Sequence, residues 1–151
     1  MYLASVIALL LVFPLASILI EWIAGNADIV LLVGKWFVFW AVGVRLLVAG
    51  VRQVMQPAFT ASTIFEIRDK DAEKIVVELG FANLAMGLLG LASLAQPAWV
   101  VPAAIVGGLY YGLAGIKHAT NGGRNANQNI ALVSDLAIFV VLAGWLAVFA
   151  A

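Results

Sequence analysis

The sequence predicts an all-α integral membrane bundle of about five transmembrane helices, and three observations carry that prediction. Apolar residues make up 65 % of the 151-residue chain and the mean hydropathy is +1.10, well beyond the roughly 45–50 % apolar usage of soluble domains. Five apolar runs, approximately 3–24, 29–52, 73–95, 98–118 and 130–150, each reach the ~20 helical residues that cross a bilayer core about 30 Å thick at ~1.5 Å per residue. None of them alternates apolar and polar residues with period two, as a membrane barrel strand does, so helices are left as the way to satisfy backbone groups in lipid.

The first run ends on the small residues Gly25 and Ala27 in the manner of a secretory signal. No Lys or Arg precedes it, however, and Leu3 to Ile23 is longer than the ~7–15-residue core of a signal, so a retained first span is expected. Gly25-Asn26-Ala27-Asp28 reads as a tight turn into the second span, and Gln96-Pro97 as another between the third and fourth; such short turns force antiparallel neighbours. The links 53–72 and 119–129 are longer and polar. In the first of them Thr63 and Glu66 have capping-box spacing, and Asp69 and Asp71 stand where a helix amino end favours negative charge. Ile64, Phe65 and Ile67 suit the headgroup layer. The second, Thr120-Asn121-Gly122-Gly123-Arg124-Asn125, is rich in turn formers without an apolar pattern and is expected to be mobile. With no solenoid repeat, low-complexity tract or composition break, residues 1–151 read as one transmembrane domain.

Basic residues set the expected orientation. Arg52, Arg68, Lys70 and Lys74 gather near one long link and Lys117 and Arg124 near the other, while the short links hold none. The positive-inside rule then puts the long links and the amino terminus in the cytoplasm and the carboxyl terminus outside, as in a multi-pass protein of a bacterial inner membrane. Trp22, Trp36 and Trp99 fall near the outer boundary, where tryptophan anchors helices. Glu21 and Lys35 are placed to pair across the first turn, although a snorkelling lysine explains Lys35 equally well.

In lipid the hydrophobic effect no longer draws helices together, so close packing at small residues and interhelical hydrogen bonds take its place. Gly80, Asn83, Gly87 and Gly90 form such a seam on the third span, and Ala104, Gly108, Tyr111, Gly115 and His118 another on the fourth. The second span has two packable faces, one with Ala41, Arg45, Ala49 and Arg52, the other with Trp36, Trp40, Gly43, Leu47 and Gly50. Ordinary bundle packing accounts for these stripes, and the packable surface suggests a homo-oligomer or a subunit of a larger membrane complex.

Ionisable groups inside a span cost roughly 2.5–3.5 kcal/mol or more on insertion scales unless they meet partners or water. Arg45 lies about 10 Å inward from Arg52 at ~1.5 Å per residue, and Asp135 stands at a comparable depth in the fifth span. Asn83, Tyr111 and Ser134 fall in the same half of the membrane, with Arg52, Glu78 and His118 nearer its surface, and the first span is expected to contribute no polar group there. Two readings follow. Arg45 binds an anionic or carbonyl-bearing ligand while Asp135, His118 and Tyr111 tune or relay a proton; or Arg45 and Asp135 form an ion pair, hydrogen-bonded to Asn83 and Tyr111, that fixes helix registry. Glu78 points away from the Asn83 face toward the headgroup boundary, and a lone His118 at a span end reads as interfacial rather than as a metal or haem ligand.

Several classes of chemistry are excluded. Eight basic and eight acidic residues give zero net charge and no footprint for nucleic acid. The absence of cysteine removes disulfides, thiolate nucleophiles and iron–sulfur ligation. No Walker loop, dinucleotide fingerprint, zincin pair or nucleophile elbow occurs, so no catalytic residue and no metal site is assigned.

From the second span onward, Arg45-Leu-Leu-Val-Ala-Gly-Val-Arg52, then Pro57 and Thr60-Ala61, then Glu78-Leu-Gly80-Phe-Ala-Asn83-Leu-Ala-Met-Gly87-Leu-Leu-Gly90 resembles the DoxX-like group of small four-helix membrane proteins, most of all an uncharacterised bacterial family with an extra amino-terminal span. The resemblance covers about residues 35–150. It implies a four-helix core plus one helix and a possible quinone connection, but with no cysteine and a functionally diverse group it carries over no catalytic residue. The sequence therefore leaves two functions in view: a non-catalytic subunit or scaffold of a membrane assembly, and a binder or redox partner of a small lipophilic molecule such as quinone. A small transporter or channel component ranks below both, since five spans show no inverted repeat. The second function needs an open cavity beside Arg45, Tyr111 and Asp135.

Overall fold

The computed structural model describes residues 2–25 and 28–151, and among them five helices are long and apolar enough to cross a membrane: α1 (Leu3–Ile23), α2 (Ile29–Met55), α3 (Asp71–Ala92), α4 (Pro97–Thr120) and α5 (Ala126–Phe149). The fold is an all-α bundle with no strand among those residues. Large apolar side chains face outward along every helix, Ile20, Ile75, Leu113 and Val133 among them. A soluble domain does not tolerate such a surface, and a lipid-facing one requires it.

The ends of the helices follow local rules. Gly25, at φ +77°, closes α1 in the left-handed conformation that glycine adopts without strain. Asp28 caps α2 by accepting a hydrogen bond from the Val30 N–H at 2.7 Å. Asn26 and Ala27, between them in the expected tight turn, lie outside the described residues. At its far end α2 runs to Met55, three residues past the expected limit, and stops where Gln56 precedes Pro57, because a pre-proline residue is pushed out of the α region.

The capping box expected at Thr63 and Glu66 does not form, because Glu66 turns the chain at φ +59° and α3 begins only at Asp71. There Asp69 accepts a hydrogen bond from the Asp71 N–H at 2.9 Å. The link expected to be mobile is instead tied down. Arg124 donates to the carbonyls of His118, Ala119 and Asn121 at the end of α4 and to Asn129 of α5. Asn125, which caps α5, donates to Glu66 at 3.0 Å, and Gln128 donates to the Ile64 carbonyl at 2.6 Å. The two long links are thereby stapled to each other.

Two antiparallel pairs build the bundle. In the first, the seam of α3 meets α2 backbone to backbone: a Cβ added at Gly90 would lie 2.7 Å from the Gly43 Cα, one at Gly87 2.6 Å from the Leu47 nitrogen, and one at Gly50 2.8 Å from the Gly80 carbonyl oxygen. In the second, Gly112 and Gly115 of α4 admit Phe139 and Leu136 of α5. The outer half of α2 joins the pairs. Leu32, Val38, Ala41 and Val42 are almost wholly buried there, and Trp145 of α5 packs on Gly34 and donates its indole N–H to the Val30 carbonyl.

Helix α1 lies along this half, where Phe13 meets Trp40 at 4.8 Å between ring centroids and Trp40 donates to Ser17. Glu21 takes the Lys35 ammonium at 2.8 Å on both oxygens and the Trp36 indole at 2.8 Å, so the expected pair forms as a three-residue knot. The core is therefore dense at the end of the bundle that holds the short connections, and it thins toward the end that carries the long links.

Candidate functional site

That second end encloses a cavity of about 550 Å³. Its position follows from a change of helical pitch. Residues Val38–Val44 of α2 form a widened π turn, in which the Arg45 N–H bonds the Trp40 carbonyl, five residues back. The Ala41 carbonyl, which α-helical geometry would pair with Arg45, accepts the buried Tyr111 hydroxyl. The widened turn thus anchors α4 to α2 at the floor of the cavity, and Arg45 emerges one residue later on its wall.

Arg45 Nη2 stands 3.0 Å from Asp135 Oδ1 and 3.2 Å from Ser134 Oγ, and the guanidinium carbon lies 5.1 Å from the centre of the Tyr111 ring. Asp135 is only 6 % exposed, so its charge is answered inside the protein by Arg45 and not by solvent. Ser134 in turn donates to the Ala131 carbonyl at 3.1 Å. Arg45, Ser134 and Asp135, expected from the sequence to share a depth, are brought into one cluster.

Asn83 is nearby but has a different partner. It is 1 % exposed and donates to Gln53 Oε1 at 2.7 Å. Tyr111 donates its hydroxyl to the Ala41 carbonyl and presents the face of its ring to the guanidinium of the ion pair. Arg52 lies over the Phe59 ring at 3.5 Å on the cavity rim. His118, two residues before α4 ends at Thr120, is buried in the cavity wall. Glu78 is exposed and does not line the cavity, in agreement with its position on the helical wheel.

Six polar lining residues lie outside the site expected from sequence: Ser5, Gln53, Thr60, Tyr110, Lys117 and Asn121. Ser5 corrects the expectation that the first span contributes no polar group here. Gln53 was reachable, since it follows Gly50 by three residues and so shares the face turned toward α3. Thr60 and Phe59 come from the widened turn Phe59–Ile64, which roofs the cavity. The walls between these polar groups are apolar, with Leu9, Leu46, Leu79 and Ile64 among them. Val48 and Leu113 line the cavity yet are 55 % and 67 % exposed on the apolar flank of the bundle, so the space opens sideways as well as toward the long links. Among the described residues no three His, Asp or Glu side chains gather to hold a metal ion.

Fold and site together define a multi-pass membrane protein with a laterally open, amphipathic cavity at one end of its bundle. The chain belongs to a family of unknown function, DUF6790, which it matches over residues 1–151. Neither the curated proteins nor the solved structures provide a match.

Proposed function

We propose that this protein binds a small lipophilic molecule with a polar head, admitted from the bilayer into the cavity beside Arg45, Tyr111 and Asp135. The observation that carries the reading is the cavity itself: about 550 Å³ lies within the roughly 300–1,000 Å³ typical of small-molecule sites, and apolar walls with a few convergent polar groups are the usual composition of such sites. A scaffold needs packing faces only and gives no reason for α2 and α4 to stand apart at one end. The DoxX-like resemblance makes quinone one member of the ligand class, and Tyr110, His118 and Arg52 supply donors of the kind its carbonyl oxygens accept.

Filling the cavity tests the reading. Ala49 and Ala114 both line it, and Ala49→Phe is expected to leave the protein folded while reducing, by about tenfold or more, any small molecule that stays bound after gentle extraction, since an overpacked site excludes its ligand. Native mass spectrometry of parent and variant measures this. An adduct that survives the substitution, or a parent with no adduct, would sink the proposal.

In orientation, the cavity end is cytoplasmic and the carboxyl terminus outside, because Arg52, Arg68, Lys70, Lys74, Lys117 and Arg124 cluster at that end and Lys35 alone stands at the other. A phosphatase reporter is expected to be inactive when fused at Gly123 and active after Ala151. The reverse pattern would overturn the orientation.

A further inference from the structure

The charges lining the cavity do not balance, and the imbalance says what kind of head it accepts. Arg45 is answered by Asp135 at 3.0 Å, and Asp135 is the one carboxylate among the described lining residues. Arg52 and Lys117 line the same cavity from α2 and α4, and among the described residues neither meets a carboxylate. The terminal carbonyls of α4, which would otherwise draw Lys117, are taken by Arg124, which donates to His118, Ala119 and Asn121 at 3.3, 3.0 and 2.8 Å. His118, 9 % exposed, lines the same cavity, and its Nδ1 is buried with no hydrogen-bond partner among the described residues.

A buried polar atom without a partner carries a desolvation penalty that a ligand atom would relieve, and an imidazole can place its N–H on whichever nitrogen faces an acceptor. Two cations without a carboxylate partner and one buried imidazole thus line a single cavity. A neutral carbonyl would satisfy the imidazole alone; an anionic oxygen cluster would satisfy it and attract both rim cations as well.

We infer that the head bound in this cavity is an anion, a phosphate or carboxylate group held by Arg52, Lys117 and His118, and that the apolar remainder of the same molecule lies against Val48 and Leu113. This rests on the binding reading above and narrows it to acidic amphiphiles. The lateral opening at Val48 and Leu113 supplies the path for an acyl chain, so a single-chain acidic lipid fits both halves of the site. The same head chemistry exists in free inorganic phosphate, which would bind without using the opening.

Thermal unfolding of the full-length protein in a neutral detergent, titrated with four probes, separates these cases. Oleate and an oleoyl lysophosphatidate are expected to raise the Tm, while monooleoylglycerol, with the same chain and a neutral head, and a decyl-substituted benzoquinone are not. Arg52→Gln with Lys117→Gln, both at exposed rim positions, is expected to leave the ligand-free Tm unchanged and weaken the acidic amphiphiles by about tenfold or more. Inorganic phosphate acting as strongly as the lysophosphatidate would uphold the anion and assign it a soluble source. Equal shifts from neutral and acidic probes, insensitive to the double variant, would overturn the anionic head and leave the small-molecule cavity standing. No shift from any probe, in the parent or in Ala49→Phe, would remove the binding reading together with this one.

Discussion

Gly90→Leu is expected to abolish the pairing of α2 with α3 and to be the most damaging single change in the outer half of the bundle. A Cβ at Gly90 would stand 2.7 Å from the Gly43 Cα and closer still to its nitrogen, so the obstacle is another backbone and not the end of a flexible side chain. The helices have to move apart over the whole seam to admit it, which also loosens the packing of Gly87 on Leu47 and of Gly80 on Gly50. In lipid no hydrophobic effect pushes them back together. Van der Waals packing along the small-residue seam is the main source of their association, and a gap of even half an ångström forfeits much of it. Overpacking that forces backbone to shift costs about 1–3 kcal/mol and occasionally more, and a clash of backbone on backbone is expected at the upper end of that range. Gly144→Ala is the control: a Cβ there meets nothing within 4 Å, and the change is expected to stay within about 0.5 kcal/mol. Thermal unfolding of both variants in detergent measures the contrast, and a Gly90→Leu protein as stable as the Gly144→Ala one would show that the seam does not hold the pair.

That seam was legible in the sequence because it depends only on helical spacing. Gly80, Asn83, Gly87 and Gly90 recur at intervals of three and four, and a single face of α3 is what they form. Helical spacing likewise located Arg45 and Asp135 at one depth, since depth follows from rise per residue once the span ends are known. It could not reveal the widened turn at Val38–Val44. Nothing in Val-Phe-Trp-Ala-Val-Gly-Val distinguishes a π turn from an α turn, yet that turn is what directs the Ala41 carbonyl toward the Tyr111 hydroxyl and so sets the Tyr111 ring against the ion pair.

Nor could the sequence foresee that Asn125 and Gln128 would bond the opposite link, because those hydrogen bonds join residues about sixty positions apart and depend on how the two antiparallel pairs lie against each other. The boundary of α2 illustrates an intermediate case. Pro57 announces a helix end one or two residues before itself, and a span expected to end at residue 52 leaves out Gln53, the partner of Asn83. The empty volume of the cavity belongs to the last category, since it is the space that five helices and a roof fail to fill, a property of no residue by itself.

Removing either charge of the Arg45–Asp135 pair is expected to cost the protein more than removing both. Arg45→Leu leaves the Asp135 carboxylate, 6 % exposed, without its cation, and Asp135→Leu takes the carboxylate at 3.0 Å away from a guanidinium that faces Ser134 and the Tyr111 ring. Breaking one half of a buried pair typically costs about 3–5 kcal/mol, because the remaining charge is held away from water with nothing to answer it. Replacing both by leucine removes the two desolvation penalties along with the attraction between the groups, and well-packed apolar substitutes for buried ion pairs are often neutral in stability. The double variant should therefore unfold at a higher temperature than either single one, with a coupling of at least about 1 kcal/mol between the sites. Thermal unfolding in detergent of the parent, both single variants and the double variant closes the cycle. Losses that simply add would mean that the 3.0 Å ion pair carries no energy, and Arg45 would then join Arg52 and Lys117 as a third cation turned toward the head of the bound molecule.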